Sequence, residues 1–326
     1  LVMKSSIQLL DIINDYIRHL AYSRPPKGLY DPIEYVLSLG GKRIRPLLML
    51  MAYNLYKENV EDILSSASAI EIYHNYTLLH DDLMDCADMR RNKPTVHKLW
   101  NDNAAILSGD TMLVLAYKMM SKCESIHLKS VLDVFSETAL EIGEGQQYDM
   151  EFENRNDVSE EEYIEMIRLK TSVLLAASLQ IGAILADAPQ TDTKKLYDFG
   201  IQIGLAFQLQ DDLLDVYGNT DDFGKKIGGD ILCNKKTYML INAFQLADKQ
   251  QRSQLDYWIS QTQFDSSEKI KQVTSIYNDL GIKDLCRKKI NEYFQTASVL
   301  LSEVGLPDSR KSILKGFADS LMNRKV

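Results

Sequence analysis

The segment Gly200-Ile201-Gln202-Ile203-Gly204-Leu205-Ala206-Phe207-Gln208-Leu209-Gln210-Asp211-Asp212-Leu213-Leu214-Asp215 reads as a helix. Gly200, Ile203/Gly204, Phe207/Gln208, Asp211 and Asp215 recur at intervals of three and four, which stacks their side chains on one face. Ala67, Ile70, His74, Thr77/Leu78, Asp81 and Asp85 repeat the pattern upstream. Prolines stand only at 25, 26, 32, 46, 94, 189 and 307, so 95–188 and 190–306 are free of this helix breaker. No alternating run of β-branched residues is bounded by hairpin signals. The sequence therefore predicts an all-α protein.

Working outward, helices are expected over about 4–22, 30–38, 43–56, 60–87, 103–121, 125–153, 159–187, 191–217, 232–249, 251–261, 265–280, 282–303 and 308–323. Ser159 with Glu162 forms a capping box for one of them, and 217–224 is a loop by its turn residues. A prior of about 150 residues per domain suggests two domains for 326 residues. No linker, low-complexity tract or short repeat divides the chain, however, so a single domain over 3–326 is expected. Met3 reads as the natural start, with Leu1 and Val2 outside the domain.

Hydrophobic residues make up 45% and charged residues 25%, which excludes disorder, collagen-like repeats and a disulfide scaffold. The net charge of -9 argues against nucleic-acid binding. An anionic ligand then requires a local basic cluster or bound metal ions. Cys86, Cys123, Cys233 and Cys286 lack metal or disulfide spacing and read as reduced thiols. No secretory leader is evident, and the most apolar stretch, Val173–Ala186, is shorter than a membrane span. A cytoplasmic protein without a membrane span is expected.

The chemistry lies in a carboxylate cluster that occurs twice, as Asp81-Asp82-Leu83-Met84-Asp85 and as Asp211-Asp212-Leu213-Leu214-Asp215. Residues four apart share a helix face, so each cluster presents paired like charges that need an offset. A hard divalent cation supplies it, since Mg2+ takes oxygen ligands and is commonly shared with phosphates. Each cluster follows an apolar helical run (Leu78 and Leu79; Leu205, Phe207 and Leu209), unlike a solvated acidic face. Cations stand nearby. Gly40-Gly41-Lys42-Arg43-Ile44-Arg45-Pro46 sets three beside a turn, Arg90, Arg91 and Lys93 follow the first cluster, and Lys225, Lys226, Lys235 and Lys236 follow the second. Arg offers a planar fork to phosphate oxygens and Lys a compact charge. Together they describe a diphosphate site held by Mg2+ and cations, which reconciles an acidic protein with an anionic ligand.

Gly40–Pro46, Asp81-Asp82-x-x-Asp85 with Arg90-Arg91, Lys170-Thr171, and Phe207-Gln208-x-x-Asp211-Asp212-x-x-Asp215 resemble the motifs of the trans-isoprenyl diphosphate synthase family, in that family's order. The resemblance implies one large helical bundle around a central apolar cavity. It implies an enzyme that joins an allylic diphosphate to isopentenyl diphosphate by ionisation, condensation and proton loss, usually as a homodimer. By motif position, Asp81 and Asp85 would hold two Mg2+ ions and Asp211 a third, with Asp82, Asp212 and Asp215 in support. Arg90, Lys170 and either Lys225 or Lys226, with Lys225 favoured, would hold the allylic diphosphate, and Lys235 would lie near it. Lys42, Arg45, His74 and Arg91 would bind isopentenyl diphosphate. Thr171, Gln208 and the Lys170 carbonyl would face the developing cation. Asp81, Asp85, Lys170, Thr171, Gln208 and Asp211 thus form the implied catalytic set. Metal ions and preorganised cations there stabilise the leaving diphosphate, and an apolar site screens the carbocation from water.

His74 lies seven residues, about two turns, before Asp81 on the same face. Gly200 and Gly204, costly mid-helix by ~1 kcal/mol each, suggest a close helix approach. Bulk before the first cluster floors the pocket in short-chain relatives; Tyr76 is bulky and Thr77 is not, which implies a C15 to C20 product. Arg324 and Lys325 resemble a basic tail that covers the isopentenyl site. Three other readings compete. A terpene cyclase explains one aspartate cluster but not two. An all-α metal phosphohydrolase would use His74 and His80 but lacks further ligand motifs, and a noncatalytic partner subunit would not need intact clusters.

Overall fold

The structure, a computed structural model, describes residues 3–218 and 227–323. Among these, regular structure is helical apart from a two-residue antiparallel ribbon, Met89–Arg90 (β1) against Lys93–Pro94 (β2). The chain forms two compact units: Leu1–Ser136 with Ala177–Tyr197 and Val304–Leu314, and Glu137–Ala176 with Asp198–Glu303 and Lys315–Val326.

The first unit contains α1 (Ser6–Arg18), α2 (Lys27–Ser38), α3 (Ile44–Asn54), α4 (Leu64–Met84), α5 (Val96–Leu99) and α6 (Asp102–Met120). Every residue of α4 from Ser66 to Tyr73 is buried, so the middle of this helix is enclosed on all sides. Its polar residues concentrate toward the C-terminal end, which delivers the first aspartate cluster. Asn101 caps α6 by accepting from the Ala104 N–H at 2.8 Å. Gly182 lets the chain approach α3 closely: a Cβ there would stand 2.3 Å from the Met49 carbonyl oxygen.

α7 (Ser125–Glu153) leads from the first unit into the second. α8 (Glu160–Ile167) starts at the expected box: Ser159 Oγ accepts from Glu162 N at 3.1 Å, and the Glu162 carboxylate accepts from Ser159 N at 2.9 Å. The expected single helix over 159–187 is interrupted by a π-turn, Arg168–Ser172, before α9 (Val173–Leu185). By composition Glu160–Leu185 could cross a membrane, but 72% of its most apolar window is buried within the protein, as in the core helix of a soluble fold. α10 (Gln190–Tyr217) carries the second aspartate cluster.

α11 (Gly229–Leu232), α12 (Tyr238–Leu246), α13 (Lys249–Ser260), α14 (Ser266–Asp279), α15 (Ile282–Ser302) and α16 (Asp308–Met322) follow. The helix expected over 232–249 is shorter, because Asn234 turns left-handed at φ 54° and Thr237 caps the start of α12. The core here gathers Tyr163, Leu209, Leu213, Met239, Leu255, Tyr277, Ile282 and Cys286.

Candidate active site

In the first unit the Gly40–Pro46 turn is built for close approach. Gly40 and Gly41 have φ of 73° and 145°, and a Cβ on Gly41 would come within 2.8 Å of the Arg91 guanidinium. Arg91 donates to the Gly40 carbonyl, which ties the turn to the segment after the first aspartate cluster. Arg45 donates from Nη1 to His74 Nε2 at 3.1 Å. Burial, and then the positive charges of Arg45, Arg91, Arg90 and Arg43, push the His74 pKa well down. His74 is therefore a neutral ring whose Nε2 accepts from Arg45, leaving the proton on Nδ1. The structure thus brings Arg45, His74 and Arg91 together, with Lys42 exposed on the same turn.

Arg43, the third cation of the turn, has a different role. It is buried, in a left-handed conformation at φ 50°. It pairs with buried Glu71 at 2.5 Å and donates to the Leu37 carbonyl at 3.2 Å and to Asn14 Oδ1 at 3.3 Å. It anchors the turn on α4.

Both aspartate clusters follow one plan. Asp81 is half-buried on the last turn of α4, Asp85 caps that helix and is exposed, and Asp82 between them is buried. Arg90 clamps Asp82 through Nε, at 2.9 and 2.8 Å from the two carboxylate oxygens, and through Nη2 at 2.7 Å. In the second unit Asp212 is buried and Asp211 half-buried. Asp212 accepts from the Tyr163 hydroxyl and from Gln208 Nε2, the latter at 3.0 Å, and lies 3.9 Å from Lys235 Nζ. Burial raises the Asp212 pKa; Lys235 works against that rise. Burial would discharge Lys235, but Asp212, Asp230, Asp149 and Asp215 outweigh it and hold the ammonium. Asp215 is buried and accepts from Asp230 N at 2.9 Å. In each cluster, then, the middle aspartate is held by its own cation while the first stays partly exposed.

The π-turn presents Lys170 and Thr171. Lys170 Nζ donates to Asp149 Oδ2 at 2.7 Å, and Thr171 Oγ1 donates to Gln208 Oε1 at 3.0 Å. The expected close approach at Gly204 is real: a Cβ there would stand 2.5 Å from Ser172 Cα. Tyr76 packs edge-on against His80, with ring centroids 4.9 Å apart, and lies 5.5 Å from the Tyr73 ring. Thr77 is half-buried and donates to the His74 carbonyl at 2.8 Å. Lys225 and Lys226, and the tail residues Arg324 and Lys325, lie outside the described residues.

Tyr163, Asp149 and Asp230 are partners that sequence reasoning missed. Tyr163 and Asp149 are far from their partners in sequence and carry no motif. Asp230, beside Gly228 and Gly229, could have been noticed as an acid in a tight turn.

The donors at both clusters are carboxylate oxygens, hard ligands suited to Mg2+. Among the described residues no three His, Cys, Asp or Glu side chains converge. His74 and His80, which a phosphohydrolase would use as ligands, are engaged by Arg45 and by the Ile106 carbonyl at 3.2 Å.

The polyprenyl synthetase family model matches residues 26–277. A short chain isoprenyl diphosphate synthase of Methanocaldococcus jannaschii is 43% identical over 228 residues, covering 70% of this chain and 69% of the relative. A geranylgeranyl pyrophosphate synthase of Geoglobus acetivorans is 35% identical over 315 residues, 96% of both chains. A crystal structure of a geranylgeranyl pyrophosphate synthase aligns with a TM-score of 0.95 at 41% identity, covering 99% of this chain and 100% of that one. The chain belongs to the polyprenyl synthetase family and is a short-chain trans-prenyltransferase.

Proposed function

We propose that the enzyme condenses an allylic diphosphate with isopentenyl diphosphate, in a Mg2+-dependent reaction, to give an all-trans product of C15 to C20. The observation that carries this reading is the common plan of the two clusters, with Asp82 tied to Arg90 and Asp212 to Tyr163 and Lys235. By motif position Asp81, Asp85 and Asp211 would hold the metal, with Asp82, Asp212 and Asp215 in support. About three ions are expected by family likeness, and when bound they neutralise charge developing on the departing diphosphate. By motif position Arg90, Lys170, Lys235 and either Lys225 or Lys226, with Lys225 favoured, hold the allylic diphosphate. Lys42, Arg45, Arg91 and the Nδ1–H of neutral His74 hold isopentenyl diphosphate, where a neutral ring donates without adding a further buried charge. Thr171, Gln208 and the Lys170 carbonyl direct oxygen dipoles at the cation, and the departing diphosphate takes the proton. The geranylgeranyl synthases among the relatives support the C20 end of the range.

Residues 3–326 are proposed to act as a single domain. A homodimer is proposed, supported by exposed Ile106, Leu107 and Val114 on α6 (46%, 59% and 66% accessible), and a cytoplasmic location is proposed by family likeness. The test is incubation with Mg2+, isopentenyl diphosphate and either dimethylallyl or geranyl diphosphate, followed by mass spectrometry. Prenyl diphosphates lengthened by five carbons are expected. Release of phosphate alone, or turnover only with a second subunit, overturns the reading.

A further inference from the structure

Lys269 is a charged side chain with 1% exposure, in the first turns of α14. Long charged side chains are almost never fully buried unless paired, yet among the described residues no carboxylate pairs with it. Its ammonium donates to Asn234 Oδ1 at 2.7 Å and to the Leu232 carbonyl at 3.4 Å, and lies 4.2 Å from the centre of the Phe264 ring. Burial lowers its pKa. Both hydrogen bonds converge on one small object, the turn between α11 and α12, while Phe264 just ahead of α14 covers the ammonium.

That turn carries Lys235. Asn234 holds it in a left-handed conformation at φ 54°, and its side chain is gripped from both ends: Oδ1 by Lys269, and Nδ2 by the Ile259 carbonyl at 3.1 Å. The next residue, Lys235, donates its N–H to the Asp230 carbonyl at 2.9 Å and sets its ammonium 3.9 Å from Asp212 and 3.8 Å from Asp230. We infer that Lys269 is a positioning residue whose buried ammonium, acting through Asn234, aims Lys235 at the second aspartate cluster and so at the allylic diphosphate. The inference rests on the role of Lys235 proposed above. A purely structural role would lower stability on loss of the ammonium and leave the KM for the allylic diphosphate where it was.

That contrast supplies the test. Lys269→Met keeps the stem and removes the charge. It is expected to raise the KM for the allylic diphosphate by about tenfold, the factor one charge-assisted hydrogen bond carries. The KM for isopentenyl diphosphate should stay level, while the thermal midpoint falls modestly because Asn234 Oδ1 loses its donor. Asn234→Gly, which tolerates positive φ but lacks Oδ1, should reproduce the defect, and it decides the matter if Lys269→Met does not fold. In a double-mutant cycle, Lys269→Met should add nothing to Lys235→Ala. If the wild type elongates but the two substitutions add independently, or both KM values rise alike, the positioning role is wrong. If the wild type does not elongate at all, the proposed function fails first.

Discussion

Three glycines offer a quantitative test of how the π-turn is held. Gly143 and Gly145 lie on α7 and Gly204 on α10. A Cβ on Gly143 would meet nothing within 4 Å. On Gly145 it would stand 2.5 Å from the Lys170 backbone nitrogen, and on Gly204 2.5 Å from Ser172 Cα and 2.6 Å from its Cβ. Comfortable contact between such atoms begins near ~3.5 Å, so the π-turn must retreat by about 1 Å. In every case the exchange to Ala gains ~1 kcal/mol of helix propensity, so that gain cancels between variants. What remains is the overpacking cost, about 1–3 kcal/mol, borne by Gly145→Ala and Gly204→Ala but not by Gly143→Ala. Function should suffer more than stability, because Lys170 and Thr171 ride on the displaced backbone. A misplacement of about 1 Å can cost around 100-fold in rate. Urea denaturation of the three variants, with kcat measured on both diphosphates, gives the two readouts. Gly204→Ala as stable and as active as Gly143→Ala would refute this account of the π-turn.

Other predictions follow from single contacts. Tyr76→Ala should lengthen the product, read by mass spectrometry of chain length; an unchanged distribution removes Tyr76 as the pocket floor. The His74 pKa lies below the unfolded value near 6.5, so the unfolded chain takes up the proton first as pH falls. Wild type should therefore keep its stability above pH ~6.5 and lose up to ~1.4 kcal/mol per pH unit below it, relative to His74→Gln. Parallel stability curves for the two proteins would contradict a neutral His74. Tyr163→Phe strips a buried donor from Asp212 and should cost about 1–3 kcal/mol in denaturant titration. Asp81→Ala should abolish elongation while circular dichroism stays native.

Most helices were legible because prolines cluster outside 95–188 and 190–306 and because caps such as Ser159–Glu162 announce their starts. The π-turn was not. Arg168–Ser172 suits an α-helix by composition, and the bulge coincides with the approach of α7 and α10 at Gly145 and Gly204, which only packing reveals. The helix expected from 232 overran two local signals, Asn234 and Thr237, whose turn and cap chemistry outweighed a lysine pair that suits a helix. The β1–β2 ribbon is too short for alternation to register. At the site, Asp81, Asp85, Asp211 and Asp215 announced themselves by spacing. Arg43 stood in the sequence only as one of three cations beside a turn, because a sequence cannot show that Glu71 claims it. Tyr163, Asp149 and Lys269 act across long sequence separations, where no local pattern exists.

The π-turn also constrains how this chain can change. A wide turn of this kind arises when one extra residue is squeezed into an α-helix. Excising one residue there would let Glu160–Leu185 run as an unbroken rod. The excision would remove the bulge and leave the helix beyond it in its present orientation. Lys170 now reaches Asp149 while its neighbour Thr171 reaches Gln208, and a regular helix could not keep both grips. Straightness and the double grip exclude one another, so the shortest genetic route to a tidier backbone leads away from catalysis.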